Sequence, residues 1–82
     1  MKIKIEEMIS KNKVMVFSKS YCPFSKMTKA LLLRKKVKFH SYELDTESDG
    51  QLMHKILKEM SGYKTVPSIY INQKHIGGNS EI

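Results

Sequence analysis

The sequence contains one cysteine, no tryptophan, two prolines and only 8 acidic residues against 15 basic ones in 82 residues. Each scarcity excludes something. A single cysteine, Cys22, cannot close a disulfide within the chain, which separates the protein from small secreted domains stapled by several bridges. Nor can it build a structural zinc site, which takes about four ligands. No apolar run approaches the roughly 18 residues that span a bilayer. The first ten residues mix Ile3, Ile5, Met8 and Ile9 with Glu6 and Glu7, an amphipathic pattern unlike a secretory leader. A cytosolic protein without membrane attachment is the expectation. A chain this short buries only a little over ~60% of its unfolded surface, so one domain over residues 1–82 with a modest stability margin is expected.

What is plentiful is positive charge, a formal +7. The lysines run from Lys2 to Lys74, and the densest group, Arg34, Lys35, Lys36 and Lys38, falls at the end of an expected helix. Cations there complement the helix dipole. The excess therefore reads as a solvated basic surface able to attract anionic thiols, and no nucleic-acid partner is expected.

Periodicity organises the rest. Ile3, Ile5, Met8 and Ile9 predict a short first helix ending near Lys11 and Asn12. The wholly apolar run Val14 to Phe17 predicts a strand covered on both faces. A polar turn follows, and Cys22-Pro23 opens a helix from Phe24 to about Lys35, with Met27, Ala30, Leu31 and Leu33 turned inward. Proline suits a first helical turn because its missing N–H had no intrahelical partner. Val37 to Leu44 reads as a second strand. A polar connection, with Ser48 or Asp49 as cap, leads to a helix lined by Leu52, Met53, Ile56, Leu57 and Met60 that stops at Ser61-Gly62. Ser68 to Ile71, a turn at Asn72-Gln73, and Lys74 to Ile76 form a hairpin ending at Gly77-Gly78. Asn79 and Ser80 resemble the cap of a last helix that the chain holds only in part. The order α-β-α-β-α-β-β implies an α/β fold: a mixed four-stranded sheet with one parallel pair, a closing hairpin and helices on both faces.

Cys22 follows a strand and opens a helix, where unpaired N–H groups and the dipole favour thiolate, and Lys19 adds a nearby cation. Tyr21, Pro23 and Ser25 do not make the apolar setting of a structural cysteine. Since only the thiolate attacks a disulfide, Cys22 is the candidate nucleophile.

The stretch Phe17-Ser18-Lys19-Ser20-Tyr21-Cys22-Pro23-Phe24-Ser25 resembles the active-site turn of glutaredoxins. Thr65-Val66-Pro67 is similar to their second signature and Gly77-Gly78 to their third, so the likeness runs from Val14 to Ser80. It implies the thioredoxin fold and glutathione as co-substrate. Proline before a strand sits where no N–H is needed, and with about 5–6% of X–Pro bonds cis, the residues alone favour trans. The resemblance instead implies a cis Val66–Pro67 bond that turns the Val66 backbone toward Cys22, to pair with glutathione like an added strand. It implies further that Lys19, with His54 and Lys64, meets the glycyl carboxylate, and that Tyr21, Phe24 and Thr65 shape the groove. Gly78 and the N–H groups of Asn79 and Ser80 would take the γ-glutamyl end. Two departures stand out. Relatives more often carry glutamine or arginine at the place of His54, and a small residue followed by aspartate at that of Asn79-Ser80, which implies weaker glutathione binding.

The family's usual Cys-x-x-Cys pair is here Cys22-Pro23-Phe24-Ser25. Ser25 cannot resolve a mixed disulfide, so the implied route is monothiol, acting on glutathionylated or disulfide-containing proteins. A serine there belongs to the monothiol branch and is equally what a replaced second cysteine leaves. Its hydroxyl either caps the helix, the preferred reading, or donates to the Cys22 thiolate. No bound metal is expected. An alternative is a [2Fe–2S] carrier, which needs four thiolates and so a cluster bridged by Cys22 of two protomers and two glutathiones. Another is the glutaredoxin-like front domain of a thioredoxin–glutathione reductase, served by a fused or separate reductase partner.

Overall fold

The computed structural model describes residues 2–78, and the expected start of a last helix at Asn79 and Ser80 lies outside them. The elements are α1 (Lys2–Lys11), β1 (Val14–Ser18), α2 (Pro23–Arg34), β2 (His40–Glu43), α3 (Gly50–Ser61), β3 (Ser68–Ile71) and β4 (Lys74–Gly77). The strands form one sheet in the order β2-β1-β3-β4. β1 runs parallel to β2 and antiparallel to β3, and β3 pairs antiparallel with β4.

All five residues of β1 are buried, because side chains that alternate across a strand here meet helices on both sides. Met15 and Phe17 join Tyr70 and pack with Ile5 and Ile9 of α1 and with Met53 and Leu57 of α3. Val14 and Val16 face the other way and join Ile69 and Leu32 of α2. Phe17 and Tyr70 meet edge to face, with ring centroids 6.0 Å apart.

The helix α2 departs from its expected phase. It turns Ser25, Thr28 and Leu32 to the sheet, whereas Met27 and Leu33 are 54% and 67% exposed, Ala30 is exposed and Leu31 half-buried. The chain enters this helix straight from β1 through Cys22-Pro23, which sets its rotation. Small side chains at Ser25 and Thr28 let its first turns lie close over the sheet. Apolar residues occur all round α2, so periodicity alone could not choose the inner stripe. In α3 the expected stripe is right except for Leu52, half exposed on the outside.

The second strand is also shorter than expected. It begins only at His40, while Val37 and Phe39 pack beneath α2 instead of joining the ladder. At the start of α3, Asp49 sits at the cap position but makes no side-chain cap bond. Its carboxylate accepts from Lys4 at 2.6 Å and from Tyr42 at 2.7 Å, tying α1 and β2 to this end of α3. Gly62, with φ of 74°, ends the helix in the left-handed conformation that glycine adopts without strain. The hairpin turn holds Asn72 and Gln73 at φ of 51° and 68°, the sign a two-residue turn needs to match strand twist.

The phase of α2 is open to test by urea denaturation. Leu32→Ala is expected to cost about 2–5 kcal/mol as a core truncation. Leu33→Ala, at an exposed site, is expected to stay within about 0.5 kcal/mol of the parent. Equal losses would place the inner face where periodicity had put it.

Candidate active site

The turn between β1 and α2 is built by backbone bonds and then fastened from outside. The Cys22 N–H donates to the Lys19 carbonyl at 3.1 Å, and the Lys26 N–H to the Cys22 carbonyl at 3.0 Å. Ser20 donates both its N–H, at 2.9 Å, and its hydroxyl to the Asp45 carboxylate. Below the turn, the buried Ser18 hydroxyl donates to Glu43 at 2.6 Å, and Lys29 of α2 pairs with the same carboxylate at 3.2 Å. The end of β2 and the loop after it thus hold the strand end, the helix and the turn.

Cys22 occupies the N-cap position of α2, in extended conformation and with no side-chain cap bond. With proline next, the first N–H groups on offer are those of Phe24 and Ser25. Burial is the largest single influence on the Cys22 thiol and pushes its pKa up. The Ser25 N–H and hydroxyl, the Phe24 N–H and the charge of Lys19 together outweigh it, and the pKa falls below its ordinary 9.0. Ser25, fully buried, therefore serves the sulfur and not the cap. Its oxygen accepts from the Lys19 N–H at 3.4 Å, which leaves its own proton for the thiolate. The expectation of a helix cap is corrected: the cap position belongs to Cys22.

The Val66–Pro67 bond is cis, and the Val66 carbonyl lies 3.8 Å from the Cys22 sulfur. Val66 is half-buried, Pro67 buried and Thr65 exposed. Gly78 packs against this segment, and a Cβ there would lie 3.3 Å from the Pro67 carbonyl and collide with the Tyr63 hydroxyl. A side chain there would require the Tyr63 ring to move and the Pro67 carbonyl to give by a few tenths of an ångström. Asn79 and Ser80 lie outside the described residues. Phe24 and Tyr21 are 58% and 65% exposed and stand beside Cys22 as walls, with no part in the core.

On the other side of Cys22, Lys19, Tyr21, Asp45 and His54 line a hollow of about 360 Å³. The Nε2 of His54 is buried without a hydrogen-bond partner among the described residues. The ring's other nitrogen is held by the Lys64 backbone, and burial, reinforced by the charges of Lys19 and Lys58, drives the His54 pKa below its ordinary 6.5. His54 is then neutral at pH 7, and Lys19 is the cation of the hollow. The Lys64 side chain is exposed; its backbone bond to His54 is its tie to the site. Sequence reasoning missed Asp45 and Tyr63. Both act across long separations, Asp45 on Ser20 and Tyr63 on Gly78, and no local pattern marks such partners.

Two pH responses follow. The rate of Cys22 alkylation by iodoacetamide should rise through a midpoint below 9.0, and Ser25→Ala should move that midpoint up by removing one donor. An unmoved midpoint would discount the hydroxyl. For His54, whose folded pKa is depressed, the unfolded chain binds more protons just below pH 6.5, so stability falls as pH drops through that range. Thermal melts of His54→Gln should show a smaller loss between pH 7 and 5 than those of the parent.

Comparison with known proteins adds to this geometry. The glutaredoxin family model matches residues 14–76. A curated glutaredoxin of Ricinus communis is 48% identical over 75 residues, covering 92% of this chain and 74% of the relative. Among solved structures, a buckwheat glutaredoxin–glutathione complex superposes with a TM-score of 0.95 at 35% identity, over 98% of this chain and 73% of that one. Wheat glutaredoxin superposes with a TM-score of 0.92 at 46% identity, covering 96% and 73%.

Proposed function

Because this chain belongs to the glutaredoxin family, we propose that it is a glutathione-dependent thiol–disulfide oxidoreductase that works through one thiol, Cys22. The observation that carries the reading is the sulfur at the mouth of α2. It has a lowered pKa, faces the Val66 carbonyl and is flanked by Lys19.

The reaction has two exchanges. The Cys22 thiolate attacks the glutathione sulfur of a glutathionylated protein. The protein's thiolate leaves and takes a proton from water, and Cys22 is left in a mixed disulfide with glutathione. A second glutathione, as thiolate, attacks the glutathione sulfur of that intermediate. Cys22 departs as thiolate, and oxidised glutathione is released. Across the two exchanges, one glutathione thiol and the glutathionylated protein give the free protein thiol and oxidised glutathione, the disulfide passing from protein to glutathione, and the chain ends as it began. No second cysteine is used.

The residues around Cys22 suit a tripeptide with carboxylates at both ends. Lys19 supplies the cation for the glycyl carboxylate, and the neutral His54 lines the hollow beside it. The Val66 N–H and carbonyl pair with the cysteinyl unit, with Thr65 and Pro67 holding that segment. Phe24 and Tyr21 flank the chain, and the backbone from Gly78 onward takes the γ-glutamyl end. Glutathionylated and disulfide-containing proteins are the substrates, in the cytosol, where glutathione keeps thiols reduced. A cluster carrier or a reductase-fused domain would rest on the Cys22–Ser25 motif alone, and neither is needed to explain the site.

Reduction of a glutathionylated peptide, coupled to glutathione reductase, tests this. Cys22→Ser should fall to background. Lys19→Gln should raise KM for glutathione by roughly tenfold or more, as loss of a charge-assisted bond does, with kcat little changed. Undiminished turnover by Cys22→Ser would refute the proposal.

A further inference from the structure

The end of the domain away from Cys22 carries a feature that the chemistry above does not use. α1 and α2 end there, and β1 and β2 begin. Between them lies a groove of about 920 Å³ with Val37 and Phe39 in its floor, the exposed Leu33 at its side, and Lys11, Lys13, Lys36 and Lys38 around it. Among the described residues no aspartate or glutamate lines it. All four lysines are exposed, and the ion pairs formed among the described residues engage Lys4 and Lys29 instead. The basic excess of the chain is thus not spread evenly. Part of it rings an apolar hollow and is left unbalanced.

Lys36 sharpens the point. Its φ is 57°, the left-handed region that follows a helix end. Its N–H bonds to the Leu33 carbonyl and the next N–H, of Val37, to that of Leu32, both at 3.0 Å. Glycine takes this position without strain. A lysine here holds a charge at the rim at a backbone position that disfavours it.

We propose that this groove docks an acidic segment of the protein substrate, with one aliphatic or aromatic side chain seated on Val37 and Phe39 against Leu33, and flanking carboxylates on the lysines. The inference rests on the oxidoreductase reading, which requires a protein partner. Charge complementarity selects an anionic ligand. The half-buried apolar floor of Val37 and Phe39 selects a polypeptide among anionic ligands, since it calls for a protruding apolar side chain between charges. A flat bilayer does not present one, and a phosphate backbone would leave the floor exposed to water. The 12 residues of α2 separate groove and sulfur by about 18 Å at 1.5 Å per residue. About six extended residues bridge that gap, so one substrate chain can occupy both. Docking then raises the effective concentration of its disulfide at Cys22.

The test compares two glutathionylated peptides, a short neutral one and one extended beyond a six-residue spacer by an Asp/Glu-rich segment with a central leucine. At low salt, the parent protein should turn over the extended peptide with at least tenfold higher kcat/KM. Lys36→Glu with Lys38→Glu should abolish that advantage and leave the short peptide unchanged. Added salt should erode the advantage in the parent. The Lys36→Gly variant, which relieves the backbone, should keep the fold and lose part of the advantage. Fluorescence anisotropy with the acidic segment alone, carrying no cysteine, tests the groove even if neither peptide turns over. Saturable binding that is weakened tenfold by the double substitution supports the proposal. Equal kcat/KM for both peptides, no binding, or binding only of anionic vesicles or RNA would overturn it.

Discussion

The first turn of α2 offers backbone N–H groups that no residue within the helix can accept, and the sulfur of Cys22, which makes no cap bond as a thiol, stands where a thiolate draws on them. Other helices satisfy this need with a hydroxyl or carboxylate at the cap position. Here the cap is a thiol, which accepts well only as an anion. Proline at the next position removes one donor that would otherwise have competed for orientation. Phe24 and Ser25 then direct their N–H groups, and Ser25 its hydroxyl, at one atom. The site's reactivity is a consequence of how a helix must begin.

That arrangement works only if the helix mouth is held still. β1 provides the foundation, since it is buried on both faces and cannot shift without exposing two cores at once. The fastenings come from the segment around the end of β2. Glu43 binds Ser18 and Lys29, and Asp45 binds Ser20, so one short loop clamps the strand end, the helix and the turn. These carboxylates are partly exposed, and their worth lies in fixing geometry more than in stability. Asp49 acts similarly one turn away: it gives up its role as a cap to pair with Lys4 and Tyr42, and so joins α1 to the start of α3. Lys4 in turn holds the Asp49 pKa down and has its own raised.

The residues themselves disclosed the element order, the parallel pair, the hairpin and the place of Cys22 at the helix mouth, because each has a short-range signature: a run of apolar residues, a glycine past a helix, a cysteine between strand and helix. The rotation of α2 was hidden. Its inner stripe of Ser25, Thr28 and Leu32 is less apolar than its outer one, and the rule that apolar residues turn inward fails when a helix must lie close to a strand. The start of β2 was hidden too, since Val37 and Phe39 have strand character but are used as packing beneath a helix. Ser25 looked like a cap because serine often is one. Only the position of the chain at Cys22 shows that the cap place was already taken. The partnership of Asp45 with Ser20 spans 25 residues, beyond the reach of any local pattern.

In the proposed route, the same donors let one cysteine serve both exchanges. A thiolate with a lowered pKa is a weaker nucleophile than an ordinary one, yet it is present in greater amount near neutral pH. In the second exchange the relation reverses to its advantage. The sulfur that leaves most readily from a mixed disulfide is the one with the lower pKa, and at Cys22 the departing charge falls back onto the N–H groups of Phe24 and Ser25. Glutathione attacking the intermediate therefore displaces the protein and not the reverse. Forming the mixed disulfide removes an anion from the helix mouth and leaves those donors unsatisfied again. Returning to the thiolate restores them. A second cysteine in place of Ser25 would offer an internal attack on the intermediate. The serine offers instead a proton donor to the product of every turnover, the free Cys22 thiolate.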